Sequence, residues 1–338
     1  MRRLARRVAD ETQEHSVRSS STVASGNTKH TELVGLDDDR EIVVQLGPPT
    51  RLDTAVAVWR EIDQRTTIPT ASLLASGTIK SDGRPLGFAV WRRVLGQDLH
   101  GVMVDLGAAQ RESLAQKFGA VLGELHAVLS FDHYGTVCAG VDGLESDGVD
   151  RDWRSWFARY LERGLSALGP GLSGLEDELR STFDPTAVPE APSPALFPWD
   201  LRPGNTIVSP VTGTIAAILD WDDPLVAAPG LALAKVEYLL ADWYVPSQAR
   251  DLRHALWLGY ERHRPLPAVP PVYRVAAIVH SAYDSDGRIT RPGYPEWPAK
   301  AAREFHRDHL ERLCDGQVAA RRPNAGGPRT DSDGSRPA

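Results

Sequence analysis

The sequence predicts an α+β protein in two unequal lobes: a small antiparallel sheet with one helix, then a larger, mostly helical part. Three observations carry that reading. Before residue 94, short runs rich in Val, Ile and Leu alternate with turn residues around one helical stripe. From Leu114 onward, apolar positions recur at helical spacing. Among those helices stands one short hairpin, Thr206-Ile207-Val208 and Ile215 to Leu219 about Val211-Thr212-Gly213-Thr214.

In chain order, residues 1 to 20 mix arginines with Asp10, Glu11 and Glu14 and run into Ser19-Ser20-Ser21, which reads as a frayed helix or disordered lead. Val23 to Val34 reads as a strand, a small-residue loop at Ser25-Gly26-Asn27 and a second strand. Asp37-Asp38-Asp39 turns the chain into a third strand, Glu41 to Leu46. Leu52, Ala55, Val56, Trp59 and Ile62 give an amphipathic helix to about Arg65. Ala71 to Ile79 and Leu86 to Val94, joined at Ser81-Asp82-Gly83, complete a five-stranded sheet.

The large lobe opens with a helix striped by Leu114, Phe118, Val121, Leu122 and Leu125, and His126 at its end reads as a core or helix-end histidine. Phe131 to Gly148 reads as a loop, Trp153 to Leu165 and Leu172 to Phe183 as helices, and 185–194 as a Pro/Ala-rich connection. Beyond the hairpin, Leu231 to Tyr244 reads as a helix with Lys235, Glu237 and Asp242 on its polar positions. Helices at Ala249–His263, Val272–Tyr283 and Pro298–Leu313 follow, then a tail from Gly316 of disordered composition. The division expected is a lead (1–20), a small lobe (21–94), a large lobe (95–315) and a tail (316–338).

Net charge of −7 over 338 residues argues against a general nucleic-acid binder, which needs a basic face. Cys138 and Cys314 are far apart with no metal-ligand pattern, as expected of neutral thiols in a reducing compartment. No apolar run approaches the ~18 residues of a membrane span, and the arginine-rich start lacks the apolar core of a signal peptide. A cytoplasmic protein is expected.

The chemistry concentrates in Pro198-Trp199-Asp200-Leu201-Arg202-Pro203-Gly204-Asn205 and in Leu219-Asp220-Trp221-Asp222. An Asp is followed five positions later by an Asn across a Pro-Gly turn, and a second Asp ends the hairpin. That spacing suits phosphoryl transfer, in which one carboxylate orients a hydroxyl while an amide and a further carboxylate hold metal on the phosphates. Asp200 and Asn205 alone are equally well read as turn formers; Asp220 at the strand end tips the balance. A metal hydrolase on Asp220 and Asp222 wants further His or carboxylate ligands nearby, and none is placed in sequence.

These residues resemble the aminoglycoside phosphotransferase family, whose catalytic stretch reads His-Gly-Asp-Leu-His/Arg-Pro-Gly-Asn, followed by a hairpin and Ile-Asp-Trp-Glu/Asp. The resemblance spans roughly Ser21 to Tyr283 and implies a protein-kinase-like fold. It implies Asp200 as catalytic base, Asn205, Asp220 and Asp222 as Mg²⁺ ligands, and Arg202 as support for the loop. It makes Ser25, Gly26 and Asn27 a nucleotide loop and sets adenine against Arg93 and Val94, before Leu95-Gly96-Gln97-Asp98-Leu99. Pro198 and Trp199 depart from it, standing where the family has His and Gly.

The family also pairs a Glu on the small-lobe helix, here Glu61, with a Lys on the third strand, where this chain has Gln45. An amide brings no charge to the phosphates. Lys29, on the preceding strand, has a stem long enough to deliver an ammonium to the same cleft, against the commoner fate of a solvated lysine. The expectation is a small-molecule kinase moving the γ-phosphoryl of ATP or GTP to a hydroxyl of an aminoglycoside-like or other metabolite. The rival is a kinase-like nucleotide- or ligand-binding protein with impaired catalysis. Asp222, Asp223, Asp242, Asp284 and Asp286 are read either as a negative acceptor pocket or as scattered surface charge.

Overall fold

Glu41 to Leu46 alternates half-buried and buried residues, the period of two that a strand with one covered face requires. The computed structural model describes residues 1–23, 29–140, 143–148, 152–284, 286–290 and 297–321. Its small lobe is a five-stranded antiparallel sheet of β1 (Val17–Thr22), β2 (His30–Leu36), β3 (Glu41–Gly47), β4 (Leu73–Ser81) and β5 (Arg84–Arg92), in the order β1-β2-β3-β5-β4. The first strand precedes Val23, earlier than the sequence pattern suggests, and the Ser25-Gly26-Asn27 loop lies outside the described residues.

The lead is not frayed. Residues Arg2–Thr12 form helix α1, whose Ala5, Val8 and Ala9 are buried against Val34, Leu36, Val44 and Val90 of the sheet. Spacings of three and four put those small residues on one stripe, which the surrounding arginines conceal in composition. Helix α2 (Pro49–Arg65) joins the lobes. Its Leu52 and Val56 pack on Ala89 of β5, while Val58 and Ile62 belong to the core of the large lobe. Just beyond it, Thr67 donates to Glu124 through its amide at 2.6 Å and its hydroxyl at 3.0 Å.

In the large lobe, β6 (Gln97–Asp98) and α3 (Leu99–Val102) lead into α4 (Ala108–Val128). Then follow β7 (Gly135–Ala139), β8 (Leu144–Ser146), α5 (Trp153–Ser166), α6 (Glu176–Thr182), β9 (Ala195–Phe197), β10 (Thr206–Val208), β11 (Ile215–Ile218) and β12 (Leu225–Ala227). Helices α7 (Pro229–Glu237), α8 (Ala249–Tyr260), α9 (Pro271–Val279) and α10 (Ala299–Arg321) complete the lobe. The strands form two small sheets, β11-β10-β6 and β8-β7-β12-β9. Hence the expected loop at 131–148 holds two strands, the helix expected from Leu172 is a 3₁₀ turn before α6, and α10 runs past Gly316. No described helix is long and apolar enough to cross a membrane. Both cysteines are free, Cys314 buried and Cys138 half-buried.

The centre of the lobe is set by glycine. A Cβ on Gly119 of α4 would stand 1.8 Å from the Leu256 carbonyl oxygen, and one on Gly259 of α8 the same distance from that of Gln116. Only bare backbones allow α4 and α8 this approach. Their contact seats His126, whose Nδ1 meets the Tyr260 hydroxyl at 2.9 Å and whose Nε2 meets the Leu196 carbonyl at 2.9 Å. Burial holds this imidazole neutral, its pKa pushed down to about 3. His126 is thus the core histidine expected, and it fixes β9, the strand that feeds the Asp200 loop.

One expectation about α7 fails. Its residues are buried all round, and the chain continues as a π turn over Tyr238–Asp242. Lys235 and Glu237 are 2 % exposed and Asp242 is 9 %, so none lies on a polar face. Glu237 accepts from Trp257 at 2.6 Å and Arg274 at 3.0 Å, and Asp242 from Arg253 at 2.6 Å.

Candidate active site

Strand β9 ends at Phe197, and from buried Pro198 the chain turns through Trp199, Asp200, Leu201 and Arg202 into a 3₁₀ turn, Pro203–Asn205. Proline at the first position presets that turn. The Asn205 side chain closes it, its Nδ2 donating to the Asp200 carbonyl at 2.9 Å. Asn205 O in turn accepts from the Leu219 amide at 2.8 Å, so the turn and the end of β11 are tied one residue before Asp220. Asp220 has φ of 62° and Asp223 of 47°, left-handed values that aspartate tolerates better than most residues.

Asp200, Asp220 and Asp222 line one cleft, with Pro198, Trp199 and Trp221. Arg202 Nε lies 3.4 Å from Asp200 Oδ2. Asp222 is largely buried, and its Oδ2 faces the Lys29 ammonium at 2.8 Å. Burial raises its pKa, Lys29 opposes, and the nearby Asp220 charge adds to the rise. Two carboxylates and one amide oxygen, one of the carboxylates buried and neutralised here only by cationic side chains, fit a hard divalent cation that keeps some ligands for phosphate.

Lys29 reaches this group from the small lobe. Its side chain is 8 % exposed, with Nζ 3.0 Å from Asp220 Oδ1 and 2.8 Å from Asp222 Oδ2. Burial works against its charge, but the two carboxylates outweigh it and raise the pKa. Arg51 on α2 closes the same corner: Nε lies 3.6 Å from Asp222, and the guanidinium also pairs with Asp223. Arg51 was not singled out from sequence, although a cation in the first turn of a helix opposes the macrodipole and signals another task.

The other small-lobe candidates are not brought together. Gln45 Oε1 accepts from Trp91 Nε1 at 2.9 Å, an internal bond of the sheet. Glu61 pairs with Arg65 at 2.9 Å and lines a separate depression with Leu129, Phe131 and Gly143. The reason is helical length: ten residues separate Arg51 from Glu61, about 15 Å along the axis, and it is the first turn that meets Asp222. The Arg93 amide bonds to Glu41 O at 3.1 Å and is committed to the sheet, whereas Val94 is half-buried and Leu95 is 77 % exposed. Of the five acids read as a negative pocket, Asp222, Asp223 and Asp242 are paired with cations, which removes that pocket.

Sequence reasoning also missed Lys235. Its Nζ sits 3.6 Å from the centre of the Trp199 ring and donates to His280 O at 3.4 Å. Burial pulls its pKa down to about 8, with Asp200 working to raise it and Arg202 to lower it. His280 stacks on Tyr160 with centroids 3.9 Å apart, and burial keeps it neutral with a pKa of about 3. Two charged letters, Lys235 and Glu237, in the otherwise apolar run Leu231 to Leu240 were the available signal.

The fold is shared with known structures. A thermostable variant of aminoglycoside phosphotransferase APH(4)-Ia, solved with ADP and hygromycin B, superposes with a TM-score of 0.58 at 15 % identity, over 96 % of this chain and 99 % of that one. A protein from Ralstonia eutropha JMP134 assigned to the aminoglycoside phosphotransferases gives 0.63 at 15 %, over 94 % and 98 %. The amicoumacin kinase hAmiN, with AMP-PNP, Ca²⁺ and its ligand, gives 0.59 at 12 %, over 93 % of each chain. No curated protein matches in sequence. The phosphotransferase enzyme family, however, matches over residues 20–266. The chain therefore belongs to the phosphotransferase enzyme family, and it is a small-molecule phosphotransferase with an alcohol group as acceptor.

Proposed function

We propose that this enzyme transfers the γ-phosphoryl group of ATP, or of GTP, to a hydroxyl of an amine-bearing or other small metabolite in the cytoplasm. The observation that carries this reading is the convergence of Asp200, Asp220 and Asp222 on one cleft, with Asn205 hydrogen-bonded to the Asp200 backbone. Asp200 orients the acceptor hydroxyl and takes its proton, and Arg202 beside it supports the loop and its charge. Asn205, Asp220 and Asp222 hold Mg²⁺, which neutralises the phosphates when bound. Lys29 supplies the phosphate-binding cation that Gln45 cannot. Ser25, Gly26 and Asn27, outside the described residues, are assigned to the nucleotide, and Val94 faces the base. The acceptor class draws on neighbours named for hygromycin B, aminopropanol and amicoumacin.

A screen of hydroxylated amines and neutral alcohols for nucleotide consumption tests the reading, with Asp200→Asn as control. Loss of a general base costs roughly 10²- to 10⁴-fold, so the control is expected to lose at least about 10²-fold in kcat while nucleotide affinity holds. Equal turnover in wild type and Asp200→Asn overturns it.

A further inference from the structure

Bringing an ammonium into a protein interior costs free energy unless other charges or dipoles replace water. Around Lys235 the replacements are few. Its ammonium meets the face of Trp199 at 3.6 Å and one carbonyl, that of His280, at 3.4 Å. The ring so engaged immediately precedes Asp200. Trp199 is itself held on other sides, with centroid distances of 5.9 Å to Phe197, 5.7 Å to His280 and 6.3 Å to Tyr160. The residue before it, Pro198, has neither an N–H nor a polar side chain with which to anchor the loop. Trp199 is therefore the handle by which the fold can grip the turn that carries the proposed base.

We propose that Lys235 is a positioning residue for the reaction: its ammonium, seated on Trp199, fixes the turn that presents Asp200. This rests on the assignment of Asp200 as base. The plain alternative is that the four-carbon stem merely fills space in α7, in which case the charge is immaterial. The two differ in charge dependence. The groups around the ammonium are Asp200 and Arg202 on the loop and neutral His280 at the end of α9, which Tyr160 of α5 stacks on and Arg163 of α5 lies near. Glu237 on the same helix is engaged by Arg274 and Trp257. Lys235 is poised to change charge near pH 8.

The test uses Lys235→Met, Lys235→Arg and the full-length enzyme. The expected result for Lys235→Met is a fall in kcat of about tenfold, with KM for nucleotide unchanged and Tm no lower. Wild type is expected to lose kcat on an alkaline limb centred near pH 8 that Lys235→Arg, which recovers most of the rate, does not show. A second measurement is independent of turnover. The chain has five lysines, so ¹³C-labelled lysine side chains give few resonances, and the one missing in Lys235→Met is assigned. That resonance is expected to titrate near pH 8, and lower in Asp200→Asn, where the supporting carboxylate charge is gone. Titration at the ordinary lysine value, indifferent to Asp200→Asn, overturns the proposal, as does wild-type kcat in Lys235→Met. If no acceptor is phosphorylated, the reading of Asp200 as base fails while the coupled titration still stands or falls by itself.

Discussion

Two lysines flank the carboxylates of the crevice, one from each lobe, and burial treats them in opposite ways. Lys29 from the small lobe and Lys235 from the large one are both nearly inaccessible. The proton affinity of Lys29 is nevertheless raised, whereas that of Lys235 falls to about 8. The difference lies in contact. Lys29 touches two carboxylate oxygens at 3.0 and 2.8 Å, while Lys235 touches a ring face and a carbonyl and feels Asp200 without pairing to it. Desolvation is similar in kind; the counter-ions decide the sign. An ammonium held by the carboxylates proposed to bind metal is also one that a metal and a triphosphate can draw away. The lysine under Trp199 has no such competitor.

The strongest way to break the comparison is to remove the carboxylates themselves. Asp220→Ala deletes one partner of Lys29 and one proposed metal ligand together, leaving Lys235 untouched. Metal-held phosphates are worth several kcal/mol to transfer, so kcat/KM measured at saturating Mg²⁺ should drop by about 10³-fold or more. A drop below about tenfold would mean that the metal is held elsewhere.

The pH dependence of stability sharpens the contrast next. For Lys235 the folded pKa of about 8 lies below the unfolded value of ~10.4. The buried charge therefore costs stability, in full below pH 8, and the cost fades as pH rises towards 10.4. Its size is about 3 kcal/mol, so Lys235→Met should raise Tm at pH 7 and lose that advantage by pH 10. Lys29 slopes the other way. Its folded pKa is raised, so its stabilising contribution is complete below the unfolded value and disappears as pH climbs through the folded one. Melting curves of Lys29→Met and Lys235→Met between pH 7 and 11 should therefore diverge from wild type in opposite directions.

Nucleotide affinity separates the lysines a third way. A hydrogen bond to a charged group is worth about 1.5–3 kcal/mol, so Lys29→Met should weaken the nucleotide about 10- to 100-fold by calorimetry. Mg²⁺ alone should bind this variant more tightly, since its site no longer holds an ammonium. Lys235→Met should leave both affinities alone. Tighter metal without weaker nucleotide would make Lys29 a counter-ion only.

What was legible in the sequence follows from range. Asp200, Asn205 and Asp220 sit on one turn and one hairpin, so their meeting is set by local spacing, and the sheet of the small lobe is announced by its period of two. The Lys29–Asp220 contact spans 191 positions and no pattern encodes it. The α1 stripe was hidden because Ala5, Val8 and Ala9 are small and their neighbours are arginines. Lys235 and Glu237 were misread because a charged letter in a helix usually marks its wet face, and α7 has none.

Glu61 provides the gentlest test and the most discriminating one for the small lobe. In the kinase arrangement a glutamate on this helix braces the phosphate-binding lysine, and its loss is severe. Here its carboxylate is taken by Arg65, one helical turn on, and faces Gly143 in a depression apart from the Asp200 cleft. A pair of this kind is worth about 0.3–0.5 kcal/mol. Glu61→Gln should thus change nucleotide affinity by less than about twofold, and stability by no more than that pair is worth. A loss of tenfold or more would show that α2 turns on binding to bring Glu61 into the crevice. Lys29 would then be released from Asp220 and Asp222 to meet it, and the resting ion pair would be the latch that keeps the two apart.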